Sequence, residues 1–216
     1  MKTHKEKQYF YTYAFGLIAI LLLLLGLFYR HNQYGDLRIN SLDDNLSIFI
    51  DNKKIVSEQD INLSFKLKNG EHSIVISKEN FWPWIKNVEI KRKTLNEISP
   101  FFIPQNTSGF LIGESDLEYA NILSRFEKNL ISAEALNKIT NANLELKSKI
   151  KAIDFYKNRK DVVLVALPDG IYALETENKN IQNFQPIYKG QNPLFVKKDD
   201  KSIYVLDDNN LMLVNY

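Results

Sequence analysis

The feature that most limits what this chain can become is an uncharged run from Gln8 to Tyr29, centred on the block GLIAILLLLLGLF of residues 16–28. Read as a helix at about 1.5 Å per residue, residues 9–29 reach roughly 30 Å, the thickness of a bilayer's hydrocarbon core. The expectation is a transmembrane helix over 9–29, with Tyr9, Phe15, Leu21, Leu25, Phe28 and Tyr29 among its anchoring residues. Aromatic residues at both ends suit the two interfacial belts. Lys2, Lys5 and Lys7 precede the run, which by the positive-inside rule leaves residues 1–8 as a cytoplasmic tail and residues 30–216 extracytoplasmic. No small-x-small pattern follows Leu27, so an uncleaved anchor in the cell membrane is expected rather than a removable signal peptide.

Charge and cysteine content narrow the remainder. The 216 residues carry a net charge of +2, and beyond residue 29 acidic and basic side chains balance. A neutral ectodomain gives no electrostatic reason to expect nucleic acid as a partner. The absence of cysteine excludes disulfides, thiol catalysis and cysteine-ligated metals.

After a linker at residues 30–35, residues 36–104 read as a small all-β module. Ile61, Leu63, Phe65 and Leu67 alternate with polar residues, as do His72, Ile74 and Ile76, and Leu46, Ile48 and Ile50. Period two with β-branched and aromatic residues argues for strands with one buried face, and Asp51-Asn52-Lys53 and Lys68-Asn69-Gly70 supply turns between them. An antiparallel β-sandwich is expected.

The segments Ser47–Asn52 and Leu67–Ile76 (LKNGEHSIVI), with the aromatic corner Lys78–Ile90, resemble the PEGA domain. In that family a Leu-x-x-Gly-x-His segment leads to an aromatic corner before the last strand, and Asn80 stands here where the family carries a corner glycine. The resemblance implies a non-enzymatic bacterial envelope protein, held in the membrane. Phe81, Trp82 and Trp84 are the candidate binding residues, because flat aromatics stack on apolar sugar faces. Alternatively they close the open end of the sandwich, each burying a large area.

Residues 105–143 read as a linker and helix. Ser115-Asp-Leu-Glu118 is a capping-box sequence, and Tyr119, Ile122, Leu123, Phe126 and Leu130 follow at helical spacing as one apolar stripe. The stripe is expected to pack on its own domain. Ala133–Ile139 adds a further short helical stretch.

Residues 144–216 read as a β-meander. A first strand is expected over 144–152, where Leu144, Leu146, Ser148, Ile150 and Ala152 alternate with charged residues, and Asp161–Leu167, Gly170–Glu175 and Asn183–Tyr188 follow. The pattern then restarts: Phe155 aligns with Phe195, and Asp169–Leu174 with Asp208–Leu213, one residue shorter. A period near 40 with four short strands per unit resembles β-propeller blades. One full unit and part of a second cannot close a ring, so an open sheet packed on the preceding helix is expected.

The chemistry-bearing residues form no catalytic constellation. His4, His31 and His72 stand isolated, and no phosphate loop, dinucleotide fingerprint or zincin helix occurs. Asp43-Asp44, Asp199-Asp200 and Asp207-Asp208 lack the spacing of a calcium loop. The fold class expected is mainly β with one transmembrane helix and one or two short helices. No enzyme activity, cofactor or metal is expected. The partners are the bilayer through residues 9–29 and a cell-wall or surface polysaccharide or another envelope protein; self-association into a homo-oligomer through the C-terminal sheet edge is the alternative.

Overall fold

The computed structural model describes residues 13, 15–26, 33–41, 45–56, 62–128, 130–142, 144, 146, 148–177 and 183–216. Residues 15–26 are helical (α1), about 18 Å at the usual rise. Every large apolar side chain of α1 is exposed, Phe15 at 77%, Leu21 at 54% and Leu25 at 55%. Among the described residues no helix is long and apolar enough to cross a membrane. Tyr9, Phe28 and Tyr29, at the ends of the expected span, lie outside the described residues, as does Asp43-Asp44.

The rest is mainly β: four sheets, with helices α2 (Tyr119–Phe126) and α3 (Ala133–Asn141). The chain divides into two compact units, one of residues 1–44, 58–72 and 87–100, the other of residues 45–57, 73–86 and 101–216.

In the first unit, β1 (Tyr34–Asn40) pairs antiparallel with β4 (Asn62–Lys68) and parallel with β7 (Leu95–Ile98). The sheet is therefore mixed, where an all-antiparallel one was expected. Burial along β1 alternates, with Leu37 and Ile39 inside and Asp36 and Arg38 outside, as period two requires. On the wet face Arg38 meets its register partner Glu97 at 2.6 Å. Gly35 is obligatory, because a Cβ there would lie 2.2 Å from the Lys91 carbonyl oxygen.

The second unit contains β2 (Ser47–Ile50) and β3 (Lys53–Val56), joined by the two-residue turn Asp51-Asn52 with φ of 50° and 63°. Positive φ at both positions matches the twist of a tight hairpin, and Asp and Asn tolerate it. Their sheet has the order β3-β2-β5-β6, where β5 is Gly70–Ser77 and β6 is Trp84–Ile90. Ile48, Ile50, Ile74 and Ile76 form its buried face. Asn80 takes φ 63° in the corner before β6, the conformation a glycine would favour there.

The C-terminal repeat forms two four-stranded meanders. The first has the order β12-β11-β10-β9, from β9 (Ala152–Phe155), β10 (Val162–Leu167), β11 (Gly170–Glu175) and β12 (Phe184–Lys189). The second has the order β13-β14-β15-β8, from β13 (Leu194–Lys197), β14 (Ser202–Asp207) and β15 (Asn210–Asn215). Its fourth strand is β8 (Ser108–Leu111), which comes from upstream of the repeat and pairs with β15. A four-residue strand containing Gly109 gives no periodic signal, which is why the second unit looked short of a strand.

The geometry corrects the alignment of the two repeats. Hairpins β10–β11 and β14–β15 have matching registers 40 residues apart, with no deletion. Even the closing hydrogen bonds correspond, Thr176 N–H to Asp161 C=O at 2.8 Å and Tyr216 N–H to Lys201 C=O at 2.9 Å. Upstream the offset becomes 42, because the β9–β10 loop is two residues longer than β13–β14. Phe195 faces Val205 as Ile153, not Phe155, faces Val165.

Two other expectations change. Residues 144–151 form no strand among those described; Leu144, Leu146 and Ile150 pack irregularly against the core beneath α3. The capping box is not made either. Glu118 is the N-cap of α2 without a side-chain bond, and Asp116 instead accepts from the Gly113 N–H at 2.7 Å. The apolar stripe packs as expected: Ile122 and Phe126 sit with Tyr204 and Leu211, flanked by Tyr119, Leu123 and Leu130. α3, capped by Ser132, lays Ala135 and Ile139 on Val163, Val165 and Leu174. Val163 and Val165 correspond to Ile203 and Val205, so the two helices cover opposite faces of equivalent strands. Both faces of β10 are buried, which explains its unbroken apolar run VVLVAL.

Candidate functional site

The aromatic corner is divided by burial. Trp84, the first residue of β6, is fully buried and shows no face to solvent, while Phe81 and Trp82 are half-buried. Phe81 packs edge-on against Phe102 at 6.4 Å and lies under the Lys78 ammonium at 4.6 Å. Trp82 is tied by its backbone N–H to the Ile103 carbonyl at 2.9 Å. Of the three aromatics, only Phe81 and Trp82 keep accessible surface for stacking, and Trp84 fills the structural role that its bulk suits.

Beside Trp84 lies a polar cluster with no sequence signature. Lys86 on β6 reaches Glu175 at the end of β11, Nζ to Oε1 at 2.6 Å, with both side chains almost completely buried. Asn183 donates to the other oxygen, Oε2, at 2.6 Å, and accepts from the Ile85 N–H at 2.8 Å. Two steps along β12, Gln185 accepts from the Ile103 N–H and donates to the Pro83 carbonyl. This polar seam satisfies backbone groups that would otherwise be buried without partners. The seam joins β6 to the first meander.

Asp161, Glu175 and Glu177 bring carboxylate oxygens within 4.8 Å of one another, near enough for one cation. Lys86 supplies positive charge from within, lying 2.6 Å from Glu175 and 3.8 Å from Glu177. Arg159 forks onto Asp161 through two hydrogen bonds. Burial works to raise the Asp161 pKa, but the hydrogen bond and charge of Arg159 outweigh it and hold the carboxyl below its ordinary 3.8. With both flanks matched by internal cations, the cluster is built as an ion-pair network rather than as an open metal shell.

A second anchored knot surrounds Asp207 on β14. Its carboxylate accepts from the Tyr188 hydroxyl at 2.8 Å and from the Gln191 N–H at 3.1 Å. Gly190 makes this approach possible, since a Cβ there would meet Asp207 Oδ2 at 2.0 Å. Burial first, then the bond to Asp207, pushes the Tyr188 phenol up to about 12. Asp199 accepts from the Lys201 N–H at 2.8 Å within its own turn, and Asp200 accepts from the Asn158 side-chain amide of the β9–β10 loop at 3.0 Å. His72 on β5 donates through Nε2 to the Lys68 carbonyl at 2.8 Å.

A cleft of about 410 Å³ opens where α2, the start of α3, β9 and β13 meet. Arg125 and Lys197 line it but are engaged internally: Arg125 donates to the Lys197 carbonyl, and Lys197 Nζ to the Lys157 carbonyl at 3.2 Å. Among the described residues none of these places unites a nucleophile, a base and an oxyanion donor. The most exposed element of the second unit is instead β8, with Phe110 at 60% and Leu111 at 73% exposure. Sequence reasoning missed both β8 and the Lys86–Glu175 pair.

No protein-family model matches the chain, and no curated protein matches it significantly.

Proposed function

We propose that this chain is a single-pass, membrane-anchored, non-enzymatic envelope protein whose extracytoplasmic β modules bind a cell-wall or surface glycan or another envelope protein. The observation that carries the reading is the uncharged run Gln8–Tyr29, inside which α1 leaves every large apolar side chain exposed. A helix apolar on all sides finds its solvent in a bilayer. The lysines before it orient residues 30–216 outward. The likeness of residues 36–104 to PEGA domains supports an envelope location. The two meanders support a propeller-like presenting surface, with α2 and α3 lying where further blades would pack. Phe81 and Trp82 are the contact residues for a glycan.

The reading is tested by protease shaving of intact cells. Residues 30–216 should be digested from outside while the first eight residues stay protected. Protection of 30–216 until the cytoplasmic side is opened overturns it.

A second reading, a structural subunit that self-associates through the C-terminal sheet, is favoured by the exposure of β8. The last strand, β15, is covered by β8, so the edge on that side of the sheet belongs to residues 108–111.

A further inference from the structure

Sheet edges expose unpaired backbone groups, and proteins guard them with charges, proline or bulges. The four sheets have eight edge strands among the described residues. Seven carry a guard: Lys53 on β3, Lys66 on β4, Glu89 on β6, Glu97 on β7, Asp154 on β9, Pro186 on β12 and Lys197 on β13. β8, with the sequence SGFL, carries none, and all four of its residues are exposed.

The direction of its free groups follows from its pairing. The Ile112 N–H donates to the Leu211 carbonyl at 2.8 Å, and the register runs on through Leu111↔Met212, Phe110↔Leu213 and Gly109↔Val214. Backbone groups alternate in direction along an antiparallel strand. Phe110, like Ile112, therefore points its backbone toward β15, and Gly109 and Leu111 point theirs along the open edge. The Phe110 side chain shares a face with Leu213, on the side where α2 packs.

We propose that this edge pairs with β8 of a second copy, antiparallel about a two-fold axis through Phe110. In that register Gly109 and Leu111 of each copy exchange backbone hydrogen bonds with Leu111 and Gly109 of the other. Phe110 opposes Phe110 in a closely spaced pair, where aromatic partners are favourable. Leu111 covers Gly109, whose absent side chain leaves only Val214 nearby, at 3.9 Å from a built Cβ. The apolar layer Leu213–Phe110 then continues unbroken into the second copy. Each bulky residue finds a partner it fits, and no charge is buried. This self-complementarity selects a second copy over an unrelated strand. The proposal rests on the reading of the chain as a self-associating subunit and names the surface and register.

The chain has no cysteine, so single cysteines report cleanly. In a closely spaced antiparallel pair the Cα atoms lie about 4.5 Å apart, within disulfide range. The full-length protein in detergent micelles, carrying Phe110→Cys, is oxidised beside Leu95→Cys, an exposed position on the guarded edge β7. Phe110→Cys should give a disulfide dimer and Leu95→Cys background only. By light scattering the unaltered chain should have twice the protomer mass and Leu111→Lys the protomer mass, with unchanged thermal melting. A dimer that survives Leu111→Lys, with no excess cross-linking at Phe110, overturns the β8 surface while leaving self-association standing. A monomeric unaltered chain overturns both.

Discussion

Lys86 and Glu175 are 89 residues apart in sequence and 2.6 Å apart in the fold, each nearly free of solvent. Removing one partner strands a buried charge, so Lys86→Ala or Glu175→Ala should cost roughly 3–5 kcal/mol in chemical denaturation. The double change Lys86→Met with Glu175→Leu should recover most of that loss, because the desolvation cost disappears with the charges. At Gly190 the limit is steric: a methyl group must displace Asp207, and Gly190→Ala should cost about 1–3 kcal/mol. Tyr188 adds a dependence on pH. Its phenol ionises near 10.0 when free and is pushed up to about 12 here, so the folded state favours the neutral form. That stabilisation is complete below 10.0 and is lost as pH rises toward about 12. Tyr188→Phe should flatten the alkaline arm of a stability-against-pH curve, and an unchanged arm would show that burial and the bond to Asp207 together leave the phenol's ionisation uncoupled from folding.

At the scale of elements, α2 holds to the second meander through one stripe. Phe126→Ala should cost about 3–5 kcal/mol, whereas Asn121→Ala on the exposed side should stay within about 0.5 kcal/mol, both read from denaturant midpoints. This stripe was legible because Tyr119, Ile122, Leu123 and Phe126 repeat at the helical period. The β10–β11 and β14–β15 hairpins were legible through their 40-residue echo. Local pattern failed where packing supplied the reason for it. Leu144, Leu146 and Ile150 alternate like a strand, yet they serve as irregular cover beneath α3, and the Lys151 N–H is satisfied by the Ala166 carbonyl. β3 was hidden by Lys53-Lys54 at an edge, and β8 by its brevity. The Lys86–Glu175 pair left no trace, since nothing in either strand specifies a partner so distant. Of the aromatic corner, the sequence offered a buried structural role for all three aromatics but not that Trp84 alone would turn fully inward.

At the scale of the whole molecule, α1 stands apart from the β units in what it leaves exposed. Phe15, Leu17 and the five leucines 21–25 are all more than half exposed, an apolar surface that water does not favour on an isolated helix. The β units downstream bury their own apolar faces, so the proposed anchoring rests on the uncharged run alone. Replacing Leu22 and Leu24 with lysine should release the protein, since each charge at a bilayer centre costs about 2.5–3.5 kcal/mol on insertion scales. The most direct test is alkaline carbonate extraction of membranes from cells making the full-length chain. The unaltered protein should remain in the membrane pellet and the doubly substituted variant should move to the supernatant. Unaltered protein in the supernatant would contradict the anchor and, with it, the proposal that the β units are presented from a membrane.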